Sequence, residues 1–169
     1  MERRKKIEFV ITGAIIAAAY AGFTYLSAAF GMAYGPIQLR ISEVLTILPV
    51  FTPAAIPGLT VGCFLANLGS FNAADLIFGT LATFIAAVLT YLLKKFTIKG
   101  IPWLAFLPPV LVNAVIIGIE IAIFFLPDEA SIWGFLISAF QVGLGQLIVC
   151  YVFGVPFYII VKKYKIFKN

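Results

Sequence analysis

The chain reads as an all-α membrane protein: a bundle of six transmembrane helices with both termini in the cytoplasm. Three observations predict this. Apolar residues make up 63% of the chain against 11% charged, and mean hydropathy is +1.10. The charges gather at a few points and leave uncharged runs over 9–39, 44–74, 76–93, 100–119 and 130–161. Runs of this kind suit a hydrocarbon core that takes about 20 apolar residues to cross. Finally, 11 of the 12 basic residues fall in three clusters, Arg3 to Lys6, Lys94 to Lys99 and Lys162 to Lys168. Placing all three in the cytoplasm leaves only Arg40 outside, a strong positive-inside bias, and demands an even number of crossings between clusters. The 169 residues then form one integral membrane domain with no room for a second, soluble one.

Helix 1 is expected over 7–30. Its Arg-Arg-Lys-Lys start imitates a signal peptide, but the apolar run outlasts the roughly 7–15 residues of a signal core, so it reads as a retained span. Ala14, Ala18 and Gly22 form a stripe of small residues at four-residue spacing. Small residues let another helix approach closely in lipid. The stripe serves either packing within the chain or docking of a separate membrane subunit. Gly31 to Gln38 is the first external loop, and Met32, Tyr34 and Ile37 make it apolar enough to fold over a cavity as a lid.

The run from 44 to 74 is long for one span and is broken by Pro49, Pro53 and Pro57. One crossing here would move every later lysine outside. Two short passes, about 41–55 and 57–70, are therefore expected, turning near Pro57-Gly58; a re-entrant hairpin keeps the same parity. Helix 4 follows over 75–94. Helix 5 covers 103–126, with Pro108-Pro109 near its inner end, and helix 6 covers 132–161.

Several chemistries are excluded. No G-x-x-x-x-G-K-[ST] phosphate loop is present, so the chain has no usual means of hydrolysing ATP. Histidine is absent, which removes Ser-His and Cys-His nucleophile pairs and a Cys/His zinc set. Cys63 and Cys150 lie in apolar runs and read as buried small hydrophobes. No cofactor and no enzymatic role are expected. The net charge of +5 orients the chain in the membrane and is not a nucleic-acid signal.

The informative residues are the polar ones of the outer half: Gln38, Arg40, Ser42, Glu43, Asn67, Asn72, Asp75, Asn113, Glu120 and Gln146. A charge at bilayer depth costs about 2.5–3.5 kcal/mol, so Glu120 needs a reason to be there. Asn113 and Glu120 are seven residues apart and share a helix face. Structural uses exist for each: an Arg40–Glu120 ion pair, first-turn carboxylates at Glu43 and Asp75, interhelical hydrogen bonds from Asn67 and Asn113, and an interfacial belt position for Trp133. Together they suggest a cavity, open to the outside, that holds two carboxylates and several amides. With Phe30, Tyr34, Phe124 and Trp133 near the same level, such a cavity suits a flat, nitrogen-rich solute with hydrogen-bond donors.

The blocks Y-G-P-I-Q-L-R-I-S-E-V-L-T-I-L-P, A-A-I-P-G-L-T-V-G-C-F-L-A-N-L, D-L-I-F-G-T-L-A-T, P-P-V-L-V-N-A-V-I-I-G-I-E and G-Q-L-I-V-C-Y-V-F-G-V-P resemble the QueT family from Tyr34 to Pro156. Helix 1 matches in character alone. The resemblance implies a substrate-binding S component of an energy-coupling factor (ECF) transporter in the plasma membrane of a prokaryote. Its ligand would be a queuosine precursor, 7-aminomethyl-7-deazaguanine or a close relative. Its partners would be a transmembrane T component and two ATPases, besides membrane lipid. It implies ligand contacts from Gln38, Arg40, Glu43, Asn67, Asn113 and Glu120, closure by Tyr34 and its loop, and docking of the T component on Ala14, Ala18 and Gly22. Glu43 or Glu120 would grip the guanine-like edge while the other faces the aminomethyl group. The family leads one to expect an acidic residue where this chain carries Gln146, and an amide there alters the contact with the cationic group or a local hydrogen bond. The rival readings are an S component for another vitamin or nucleobase and a structural membrane protein without a solute.

Overall fold

The computed structural model describes residues 2–33, 39–70, 73–125 and 131–167. Among these the chain is all-helical, with no strand. Four helices are long and apolar enough to cross a bilayer: Glu2–Ala29, Ala73–Leu93, Trp103–Phe124 and Ile132–Lys163. Two shorter apolar segments, Ile41–Val50 and Ala55–Ser70, lie between the first two of them.

Helix α1 (Glu2–Ala29) begins five residues earlier than the apolar run suggests. Its basic start is helical because exposed pairs at i,i+4, Arg4–Glu8 at 3.0 Å and Glu2–Lys6 at 3.3 Å, support the first turns. At the other end Gly31 adopts φ +71°, and the amides of Gly31 and Met32 return to the carbonyls of Ala28 and Ser27. This is the Schellman ending that a residue without Cβ permits.

Residues Ile41–Val50 form a 3-10 helix, tighter than the α-helix expected for the first short pass. Ten residues is long for this geometry, which rarely exceeds 3–4. Most of the segment is buried, from Ser42 and Glu43 through Leu45 to Pro49. It packs against α1, against α3 (Ala73–Leu93), and against the last long helix, so it forms the central rod of the bundle. Irregular backbone at membrane depth is tolerated where protein surrounds it.

The chain reverses at Phe51–Ala54, not at Pro57-Gly58, and α2 runs over Ala55–Asn67. Pro57 sits in the first turn of α2, where its missing N–H has no intrahelical partner to lose. Gly58 is used for contact instead of turning: a Cβ there would stand 2.7 Å from the Gly13 carbonyl oxygen of α1. Gly62 is equally tight, with its Cβ position 2.8 Å from the Ala17 carbonyl oxygen. The two helices thus meet backbone to backbone.

Helix α4 (Leu107–Glu120) starts after a 3-10 turn at Trp103–Phe106, with Pro108 and Pro109 in its first turn, and it widens into a π turn at Ile121–Phe125. Helix α5 (Ile132–Leu147) is capped by Ser131, whose Oγ accepts from the Gly134 amide at 3.2 Å. It continues through a π segment, Ile148–Phe153, into α6 (Gly154–Lys163). Gly118 and Ala139 bring α4 and α5 into close contact. At the basic end, Lys162 Nζ and Tyr158 Oη both donate to the Gly100 carbonyl, at 2.7 and 3.2 Å. Large apolar side chains such as Val10, Ile15, Ile77, Ile132 and Phe140 face outward, as a lipid-bathed surface requires.

Candidate functional site

At the end of the bundle opposite the basic clusters, five elements bring polar side chains together. Arg40 and Glu43 come from the head of the 3-10 rod, Tyr20 from α1, Asn67 from the end of α2, Asp75 from the first turn of α3, and Glu120 from the last turn of α4. All are buried; Glu43 is 3% exposed and Glu120 0%.

The α1 face clasps the rod. The Tyr20 hydroxyl donates to Glu43 Oε1, the Thr24 hydroxyl donates to Ser42 Oγ at 2.7 Å, and the Ile41 amide donates to Ser27 Oγ at 2.9 Å. Tyr20, Thr24 and Ser27 are spaced four and three apart, one stripe on a helix. Arg40 is held by Nε donating to the Ala33 carbonyl at 2.8 Å and one terminal nitrogen donating to Asn67 Oδ1 at 3.1 Å. Asn67 Nδ2 in turn donates to the Asp75 carbonyl at 2.8 Å and toward Cys63 Sγ at 3.4 Å. The Asn67 amide is therefore fully engaged in fixing Arg40 and the start of α3. Gly79 makes room for it, since a Cβ there would lie 2.5 Å from Nδ2.

Other groups are left incomplete. Glu43 Oε2 and both carboxylate oxygens of Glu120 are buried without a hydrogen-bond partner. Glu120 and Asp75 lie side by side, and Arg40 is near enough to act electrostatically on Glu43, Asp75 and Glu120. Gln146 adjoins the Glu43 carboxylate from α5, and its Oε1 faces Cys150 Sγ at 3.7 Å. Asn113, two turns below Glu120 on the buried face of α4, makes no side-chain hydrogen bond among the described residues. The cluster holds three carboxyl groups and one guanidinium. Buried carboxylates without donors are costly, about 1–3 kcal/mol each or more for charged groups. The arrangement is built to accept hydrogen bonds and positive charge.

Of the residues singled out from sequence, the structure gathers Arg40, Glu43, Asn67, Glu120 and Gln146, with Asn113 below them. Tyr34 and Gln38 lie outside the described residues. Trp133 stands apart from the buried cluster: it is 71% exposed at the start of α5, which fits a ring at the membrane interface. An Arg40–Glu120 hydrogen-bonded ion pair is also not formed, because neither Glu120 oxygen has a partner. Ala14, Ala18 and Gly22 are exposed, and no atom lies within 4 Å of a Cβ placed on Gly22. Packing inside the chain falls to Gly13, Ala17 and Ala21 instead. Tyr20 was absent from the sequence-derived set; its signal was the polar stripe it forms with Thr24 and Ser27. Asp75 has the sequence position of an ordinary first-turn carboxylate and gains Glu120 as a neighbour only through the fold.

A family model described as the QueT transporter matches residues 10–163. The chain is similar to the curated "Queuosine precursor transporter QueT" of Lactococcus lactis subsp. cremoris (strain MG1363), 36% identical over 91 residues. That stretch is 54% of this chain and 54% of the relative, so the chain spans about half the length of the curated relative it matches. No solved structure matches the chain.

Proposed function

The chain belongs to the QueT transporter family, and from that premise we propose that it is the substrate-binding membrane subunit of an ECF-type importer for a queuosine precursor. The ligand is 7-aminomethyl-7-deazaguanine or a close relative, taken from outside a prokaryotic cell across its plasma membrane. The observation that carries this reading is the set of three buried carboxylate oxygens without donors, Glu43 Oε2 and both of Glu120. A deazaguanine offers donors along its ring edge, and its aminomethyl arm adds a positive charge. Both kinds of group complete carboxylates that the bundle leaves open. Arg40, fixed by Asn67 and the Ala33 carbonyl, orients the acids. Asn113 and Gln146 read the remaining edge.

The exposed stripe of Ala14, Ala18 and Gly22 supports docking of a T component on the outer face of α1. With both termini cytoplasmic, two ATPases joined to that partner supply the energy, and the bundle reorients to deliver its ligand. Calorimetry of the purified chain with 7-aminomethyl-7-deazaguanine tests the reading. Binding lost in Glu120→Ala and Glu43→Ala supports it; unchanged affinity in both variants overturns the carboxylate grip. Binding of riboflavin or thiamine in place of the deazapurine removes the substrate assignment.

A further inference from the structure

Resting on that reading, we propose that Asp75 and Glu120 form a cation subsite that selects a ligand carrying a protonated amine arm, while Glu43 with Gln146 reads the neutral ring edge. The two acids come from helices packed on one another, the first turn of α3 and the last turn of α4, and their carboxyls are neighbours. Glu120 is fully buried, and neither oxygen has a partner. Arg40 is the cluster's one cationic side chain among the described residues. Two of its nitrogens already donate to Ala33 and Asn67, and it faces three carboxyls at once. Two carboxyls side by side in a low-dielectric interior either share a proton or take up a further positive charge, and an ammonium that enters between them replaces the shared proton. Directly after Glu120 the helix widens into a π turn at Ile121–Phe125, an irregularity common at functional sites.

Glu43 is differently equipped. Tyr20 already fills one of its oxygens, leaving a single open acceptor beside the Gln146 amide. One acceptor next to one amide matches an edge of neutral N–H and C=O groups better than an ammonium, which donates three ways. The division of labour also accounts for an amide at Gln146, because positive charge is handled by Asp75 and Glu120.

The test is calorimetry of the full chain in lipid nanodiscs with two ligands: 7-aminomethyl-7-deazaguanine and its neutral 7-carbonitrile analogue. Wild type is expected to prefer the amine. Asp75→Asn should weaken the amine roughly 10- to 100-fold and leave the nitrile within about 3-fold, so the preference collapses. Glu43→Gln should weaken both ligands alike. Glu120→Gln reads the same pair of acids if Asp75→Asn does not fold, and Asp75→Glu should restore amine preference. Equal loss for both ligands in Asp75→Asn and Glu120→Gln, or an amine preference that survives them, overturns the cation subsite while the binding function stands. Binding of neither ligand by wild type overturns the functional reading and the subsite with it.

Discussion

Along α1, the 3-10 rod and α2, buried polar groups find one another: Tyr20 with Glu43, Thr24 with Ser42, Ser27 with the Ile41 amide, Asn67 with Arg40 and Asp75. Along α4 they do not. Glu120 and Asn113 face inward with no side-chain hydrogen bond among the described residues. Glu43 Oε2 apart, the first wall is complete when empty and owes its order to bonds within the chain. The second is complete only with something added. Substitutions in the first wall away from Glu43 should therefore act mainly through the fold, and substitutions at Glu43 and in the second wall through the ligand.

The sharpest way to break this contrast is Glu120→Ala. It should lower affinity for 7-aminomethyl-7-deazaguanine roughly 100-fold in calorimetry, with the melting temperature of the empty protein unchanged or raised, since a desolvated carboxylate is removed. A large drop in empty-state stability would place Glu120 in the first class. Gly58→Val, on the self-contained side, should do the reverse. Its side chain meets the Gly13 carbonyl oxygen, and overpacking of this kind costs about 1–3 kcal/mol, read as a lower melting temperature in detergent. Tyr20→Phe joins the two classes. It removes the hydroxyl from Glu43 Oε1 and should weaken binding about 10-fold together with a modest loss of stability. Gly79→Ala pushes on Asn67 Nδ2 and loosens Arg40 by one hydrogen bond; a fall in affinity of about 5-fold is expected. Trp133→Ala should change affinity by less than about 2-fold, because its exposed ring stands outside the buried cluster.

The contrast between the walls was only half visible along the chain. Uncharged runs located the four long helices, since lipid imposes length and apolarity on every span. Glu120 and Asn113 were legible because a polar residue inside such a run stands out. The reversal point between the short segments was misplaced: Pro57-Gly58 has the composition of a turn, and nothing in the local sequence tells a glycine that bends from one that lets a neighbouring backbone approach. The 3-10 winding of Ile41–Val50 was hidden for a related reason. A segment buried nearly all round has no periodic face from which three residues per turn could be told from 3.6. Asp75 and Tyr20 depended on contacts across 45 and 23 positions, which local reading does not supply.

The clasp between α1 and the rod sets a mechanical scale. A helix with its side chains is about 10 Å thick, and α1 carries Tyr20, Thr24 and Ser27 on one flank and Ala14, Ala18 and Gly22 on the other. Any body leaning on the outer flank sits a single rod's breadth from Glu43. A push there is transmitted through three short tethers to the head of the segment that bears Arg40 and Glu43, with no flexible linker in between to absorb it.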